Sequence, residues 1–156
     1  EAAARDRVAA FLAKVKGEGA QILTGGEVPT GEAFAHGWFI TPTLLAGLPA
    51  GHAANCEELF GPVISLVAVD GLDEGLAIAN ALPYGLASSV YTRDLAAALS
   101  YAERTDAGII HVNAPTTLSE LQMPYGGVKD SGHGGREMGT YSLEFYTELQ
   151  AVYLRP

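Results

Sequence analysis

Short apolar runs alternate with amphipathic segments along the chain, and this alternation is what most constrains the fold. The run 63–69 is almost continuously apolar, which is typical of a strand covered on both faces of a parallel sheet. Apolar residues at helical spacing predict helices over 2–16 and 95–105. The apolar run 109–112 predicts a strand. Strands and helices at this spacing predict an α/β fold with a mainly parallel sheet, flanking helices and right-handed crossovers.

Local signals define the remaining predicted elements. Pro42 lacks an amide donor, so a strand over 38–45 should be interrupted there. Asp94 is a good N-cap for the helix that follows it. The pattern breaks at Asn113, where a long glycine-rich stretch begins, and loops of this length are usually functional. The other predictions are a strand at 21–24, a helix from Asp73 to about Asn80, an extended segment at 86–92, a helix around 137–146 and a last strand at 149–154.

Charge and cysteine content limit the partners of the chain. Nine Lys and Arg residues against 18 Asp and Glu residues give a net charge of −9, which argues against nucleic acid and anionic membranes as partners. No apolar run approaches the roughly 20 residues of a membrane helix. The single cysteine, Cys56, excludes an internal disulfide and predicts a cytoplasmic location. The four histidines lack the paired spacing of zinc sites, so no metal is predicted.

Two carboxylates and an aromatic ring directly precede the run 63–69. Ligand sites in open α/β sheets cluster at strand ends and their flanking loops. A carboxylate such as Glu58 can accept hydrogen bonds from both hydroxyls of a ribose, and Phe60 can pack on a flat ring. The residues alone are also compatible with a second interpretation. In it, Glu57 and Glu58 are solvated loop charges and Phe60 belongs to the core.

Several ordered motifs resemble the aldehyde dehydrogenase superfamily. Residues 57–63, Glu-Glu-Leu-Phe-Gly-Pro-Val, are similar to the family's Glu-Glu-Ile-Phe-Gly-Pro-Val signature, with Leu59 at the isoleucine position. Each further motif is weak alone, but the ordered set is specific and extends over nearly the whole chain. Those motifs lie at 19–26, 37–43, 80–87, 107–113, 124–132, 136–139 and 146–148.

The resemblance implies the latter part of a catalytic domain over 1–140, followed by the end of a helix and an oligomerisation strand over 141–156. It implies NAD(P)+-dependent oxidation of an aldehyde to a carboxylic acid through a cysteine thioester, with the choice between NAD and NADP open. It also implies a homo-oligomer, a dimer or a tetramer, formed through the C-terminal strand. The family's nucleophile, its glutamate base and its dinucleotide-binding region precede the signature. We therefore assign no catalytic residue here and predict that the chain alone is inactive.

Site residues follow from the resemblance only at matching positions. Glu58 would accept hydrogen bonds from the nicotinamide ribose, and Phe60 would lie against that ribose and the ring. Tyr125 would line the aldehyde pocket, and residues 116–122, which begin with Thr116 and Thr117, would form its entrance. Asn113 and the glycines that follow Tyr125 would shape the backbone of that loop.

Two alternatives belong to other functional classes. The chain could be an interaction or oligomerisation module that kept the fold without catalysis, which the missing nucleophile and the strand-forming tail favour. A thiol enzyme using Cys56 is disfavoured, because Glu57 and Glu58 make a neighbouring thiolate electrostatically unfavourable. His111, within an apolar strand, is expected to be a core histidine with its hydrogen bonds satisfied.

Overall fold

The computed structural model describes residues 1–156, which form two compact units, Glu1–Val69 and Asp70–Pro156. Each unit combines helices with short strands, so the predicted α/β class is confirmed. The division predicted at residue 140 concerns functional parts rather than compact units, and it stays a prediction. None of the α-helices has the length and apolar content that crossing a bilayer requires.

The first unit packs a long helix against a three-stranded sheet. The central strand β2 pairs antiparallel with β1 and parallel with β3. Val8, Leu12 and Val15 recur at helical spacing, so one face of the long helix is apolar and covers the sheet around Leu45. The elements are α1 (Ala2–Gly17), β1 (Gln21–Thr24), a 3₁₀ helix (Glu32–Phe34), β2 (Thr43–Ala46), α2 (Ala53–Cys56) and β3 (Val63–Ser65).

The second unit contains two small sheets and three helices. Strand β5 pairs parallel with β6, and β4 pairs antiparallel with β7. The Asp94 carboxylate accepts hydrogen bonds from the amides of Ala96 and Ala97, which confirms the predicted N-cap of α4. The elements are α3 (Leu72–Asn80), β4 (Tyr84–Gly85), β5 (Ala87–Val90), α4 (Leu95–Arg104), β6 (Ile109–Val112), β7 (Val128–Lys129) and α5 (Tyr141–Tyr146).

A polar network ties the ends of α3 and α4 to β7. The Asn80 side-chain amide donates to the Arg104 carbonyl oxygen at 2.7 Å, and its oxygen accepts from the Asp106 amide at 2.9 Å. Lys129 donates from Nζ to the Asn80 carbonyl oxygen at 2.6 Å and pairs with Asp106 at 3.4 Å. These contacts fix the turn from which β6 departs toward the glycine-rich loop.

The strand predicted over 63–69 is shorter than its apolar run. Strand β3 ends at Ser65, and the side chains of Ile64, Leu66 and Val69 are exposed. The prediction of a strand covered on both faces was therefore wrong for this unit. One face packs toward the core formed with α1, whereas no second element of the unit covers the other face.

The C-terminal region also departs from prediction. Helix α5 begins at Tyr141 rather than near residue 137, and residues 147–156 form no strand. The predicted strand at 149–154 was therefore wrong for the isolated chain. A strand needs a neighbour for its backbone hydrogen bonds, and no strand of this chain pairs with the segment. Its apolar side chains are exposed at Leu149, Val152, Tyr153 and Leu154.

Candidate functional site

Glu58 and Phe60 line one cleft of the first unit. The cleft has a volume of about 620 Å³. It opens where α2 ends and the chain turns into β3, and both side chains are exposed. The structure thus brings these two predicted residues together on one surface. Its lining comprises Phe11, Ala54, Asn55, Glu57, Glu58, Leu59, Phe60, Gly61, Val63 and Ser65.

The chemistry of this cleft suits a sugar attached to a flat ring. A carboxylate accepts hydrogen bonds only, so Glu58 complements the two hydroxyl donors of a ribose. The Phe60 ring is 82% exposed, which leaves its faces free to pack on an aromatic or sugar ring. A nicotinamide ribose therefore fits the residues present. The exposure also shows that Phe60 is not a core residue of this unit.

Phe60 adopts an uncommon backbone conformation, with φ at +53°. This left-handed region is sparsely populated by residues other than glycine and asparagine, and it persists only where the surroundings hold it. The turn directs the Phe60 ring outward while Leu59 packs against the core of the unit. No residue pattern around Phe60 predicts this conformation.

Tyr125 lines a separate cavity, which lies within the second unit. The cavity has a volume of about 300 Å³ and is bounded by β6 and by the loop that follows it. Its walls are mostly apolar, and Tyr125 is 37% exposed. Such a cavity suits the carbon chain of a small ligand. The lining residues are Gly108, Ile109, Ile110, His111, Leu118, Ser119, Glu120, Met123, Pro124 and Tyr125.

Thr116 and Thr117 lie on the loop beside this cavity but do not line it. Both are exposed, and the lining begins at the next residue, Leu118. Their predicted role at the entrance therefore stays a prediction. The backbone of Tyr125 is held by reciprocal hydrogen bonds with Glu137, at 2.7 and 2.9 Å, which close the loop on itself.

Asn113 fixes the start of the loop through its own side chain. Its φ is +56°, a conformation that asparagine tolerates better than most residues. The side-chain oxygen accepts from the Thr92 amide at 2.8 Å, and the side-chain nitrogen donates to the Thr92 carbonyl oxygen at 2.9 Å. The amide group thus continues the pairing of β5 and β6 beyond Val112, as expected for a residue that shapes this loop.

Replacing Asn113 with alanine should lower the free energy of unfolding of the chain by about 2 kcal/mol. The change removes two hydrogen bonds, worth about 0.5–1.5 kcal/mol each, and leaves a residue with a Cβ at positive φ. Urea denaturation measures the loss. Asn113→Gly removes the same hydrogen bonds but tolerates the conformation, so it should fall between the wild type and alanine. Equal losses in both variants would contradict the contribution of the conformation.

Sequence reasoning missed two features of the second cavity. His111 was expected to be satisfied, but its Nε2 is buried without a hydrogen-bond partner, so that expectation was wrong. Leu118 and Glu120 line the cavity and lie in the stretch 116–122 that was expected at the entrance, whereas Met123, expected only as a packing residue, lines it as well. The position of Met123 directly before the predicted pocket residues at 124–125 could have indicated its place in the lining.

Cys56 lies at the end of α2 and is partly buried. Its Sγ donates to the Ala50 carbonyl oxygen at 3.5 Å, within the turn that leads into the helix. The thiol is therefore integrated into local structure, as expected for a loop or core cysteine. No group of three His, Cys, Asp or Glu side chains is arranged to hold a metal ion.

Comparison with known proteins identifies the family. The sequence model of the aldehyde dehydrogenase family matches residues 1–152. The chain is 35% identical to the alpha-ketoglutaric semialdehyde dehydrogenase of Bacillus subtilis over 97% of its own length and 31% of that protein. It is 41% identical to the 2-hydroxymuconic semialdehyde dehydrogenase of a Pseudomonas strain, over 97% of the chain and 31% of that protein.

A solved structure agrees with the sequence comparison. The fold superposes on the crystal structure of Mycobacterium tuberculosis aldehyde dehydrogenase complexed with NAD+ with a TM-score of 0.87 and 34% identity, over 95% of the chain and 30% of that protein. This chain belongs to the aldehyde dehydrogenase family. It spans about a third of the length of the curated relatives that it matches.

Proposed function

We propose that the chain supplies the nicotinamide-ribose loop and one wall of the aldehyde pocket of an NAD(P)+-dependent aldehyde dehydrogenase. The observation that carries the proposal is the cleft on which a free carboxylate, Glu58, and an exposed ring, Phe60, lie two residues apart. Family membership supports it, as does the NAD+ complex of the Mycobacterium relative.

In this proposal Glu58 and Phe60 orient the coenzyme for the chemical step. Glu58 accepts hydrogen bonds from the ribose hydroxyls, and Phe60 packs against the sugar and limits the rotation of the ring. NAD(P)+, when bound, supplies the hydride acceptor. A thiol from another segment of the whole protein attacks the aldehyde carbonyl, and a water molecule hydrolyses the thioester left after hydride loss. The balance is aldehyde, NAD(P)+ and water in, and carboxylic acid, NAD(P)H and a proton out.

The aldehyde would be held partly by the second unit. Tyr125 would line its pocket, supported by the apolar cavity to which that ring contributes. Thr116 and Thr117 would belong to the entrance, supported by their exposure on the loop beside the cavity. The cytoplasm is the proposed location, supported by the single free cysteine.

Assay of the complete protein tests the proposal. Purified complete protein should reduce NAD+ or NADP+ in the presence of aldehydes and release the corresponding acids, whereas the 156-residue chain alone should not. The comparison of the two coenzymes assigns the preferred one. Absence of turnover together with absence of NADH binding by the complete protein would contradict the proposal and favour a non-catalytic module.

The exposed apolar tail supports a homo-oligomer as a second part of the proposal. Leu149, Val152, Tyr153 and Leu154 are unburied in the isolated chain, and an unpaired segment of this kind can add to the sheet of another copy. Val152→Asp in the complete protein should shift the mass measured by light scattering toward smaller species, because a buried carboxylate opposes the contact. Glu148→Asp, which preserves the charge, serves as the control. An unchanged mass for the Val152→Asp variant would contradict the role of this segment.

A further inference from the structure

Helix α1 directly supports the turn that carries Phe60. Arg7 donates from Nη2 to the Phe60 carbonyl oxygen at 3.2 Å, across 53 positions of sequence. The next residue of the helix, Val8, packs against the next residue of the turn, Gly61. A Cβ added to Gly61 would lie 2.7 Å from Val8 Cγ2, so a larger residue would force the Val8 side chain or the turn to shift. Two consecutive residues of the helix therefore contact two consecutive residues of the turn.

The turn needs such support because its conformation is not held by its own side chain. Phe60 has a φ of +53°, and its ring is 82% exposed. A left-handed conformation at a residue other than glycine reverts unless neighbouring groups hold it. The packing of Val8 fixes the position of Gly61, and the guanidinium of Arg7 fixes the orientation of the Phe60 carbonyl. Because that carbonyl belongs to the peptide plane that follows the Phe60 Cα, holding it restricts the ψ angle of Phe60 and with it the direction of the Cα–Cβ bond that carries the ring.

Arg7 is the cation of α1 suited to this task. The neighbouring Arg5 is engaged elsewhere, since its side chain pairs with Asp6 at 2.7 Å and stacks over Trp38 at 5.0 Å. A hydrogen bond from a charged donor is stronger than one between neutral groups, and a guanidinium offers several donors in a planar arrangement. The length of the arginine side chain also lets it reach the turn from the exposed flank of the helix.

We propose that Arg7 is a positioning residue for the nicotinamide end of the coenzyme, acting through the backbone of Phe60. The inference rests on the proposed function, in which Glu58 and Phe60 hold the nicotinamide ribose. Arg7 itself does not touch the coenzyme in this scheme. Its loss should therefore weaken the nicotinamide half of the site and leave the adenine half intact.

Ligand binding by the complete protein tests whether Arg7 affects the nicotinamide half of the site and not the adenine half. NADH is titrated by its fluorescence, and ADP, which lacks both the nicotinamide ring and the ribose attached to it, is titrated by calorimetry. Arg7→Ala should raise the Kd for NADH about tenfold, as expected for loss of a charged hydrogen bond, and change the Kd for ADP less than about twofold. Arg7→Lys retains a charged donor and should recover part of the NADH affinity. Lys14→Ala removes an exposed charge from the same helix and should change neither value.

The alternative outcomes separate this inference from the proposed function. If Arg7→Ala leaves the Kd for NADH unchanged while Phe60→Ala raises it, the positioning role is overturned and the proposed function stands. Equal weakening of NADH and ADP would also overturn it, because a merely structural role affects both ligands. If Phe60→Ala and Glu58→Gln also leave NADH binding unchanged, both proposals fall. Should Arg7→Ala not fold, Arg7→Gln removes the charge with less loss of packing, and the same criteria apply to it.

Discussion

Glu58→Gln should weaken NADH binding by the complete protein about tenfold to a hundredfold and raise the KM for the oxidised coenzyme in parallel. A carboxylate accepts both ribose hydroxyls, whereas an amide offers one oxygen and places a donor where the second hydroxyl needs an acceptor. Hydrogen bonds to a charged group contribute about 1.5–3 kcal/mol, and each 1.4 kcal/mol corresponds to a factor of ten. Fluorescence titration with NADH measures the binding, and initial rates give the KM.

Glu57→Gln provides the matched control. It removes the same charge from the adjacent residue of the same loop, and Glu57 is also exposed. If the effect comes from specific acceptance of the ribose hydroxyls, Glu57→Gln should change the Kd for NADH less than about threefold. Equal weakening in the two variants would contradict a specific role for Glu58 and would indicate a general effect of the charge of the loop.

Elements specified by nearby residues were predictable from the sequence. Helix α1 is confirmed because Val8, Leu12 and Val15 recur at helical spacing on its buried face. The start of α4 is confirmed because the Asp94 cap acts within three residues of itself. Strand β6 matches its predicted bounds, since its apolar run ends at Asn113, where the chain turns.

Features that depend on distant partners could not be predicted in the same way. The run 63–69 carries enough apolar residues for a doubly covered strand, but only Val63–Ser65 finds a strand partner in this chain. The tail at 149–154 has the composition of a strand and no neighbour to pair with. The composition of a segment indicates the secondary structure that it favours, whereas strand pairing depends on which other segments lie beside it.

In the candidate site, too, local features were predictable and contacts between distant residues were not. Glu58 and Phe60 were identified because they are two residues apart within one motif, and their shared cleft follows from that proximity. The hydrogen bond from Arg7 to the Phe60 carbonyl oxygen joins residues 53 positions apart, and neither local sequence predicts it. The buried Nε2 of His111 likewise depends on atoms packed around the ring rather than on its neighbours in sequence.

Leu45→Ala should strongly destabilise the first unit, with a loss of about 2–5 kcal/mol in the free energy of unfolding. Leu45 is 1% exposed and occupies the central strand of the sheet, where it packs in one cluster with the buried face of α1. Removing its side chain loses the transfer free energy and leaves a cavity, since strands on both sides limit collapse.

Urea denaturation followed by fluorescence isolates this effect, because Trp38 is the single tryptophan of the chain and lies in the first unit. Leu23→Ala makes the same chemical change in β1 at a residue that is 52% exposed, so it should cost less than about 1 kcal/mol. If Leu45→Ala does not fold, Leu45→Val removes less volume and should show a smaller loss in the same direction. Similar losses for Leu45→Ala and Leu23→Ala would mean that the sheet is not held by burial of Leu45 against α1. In that case α1 would also be too weakly anchored to orient the turn at Phe60, because the face that packs on Leu45 includes Val8, which contacts Gly61.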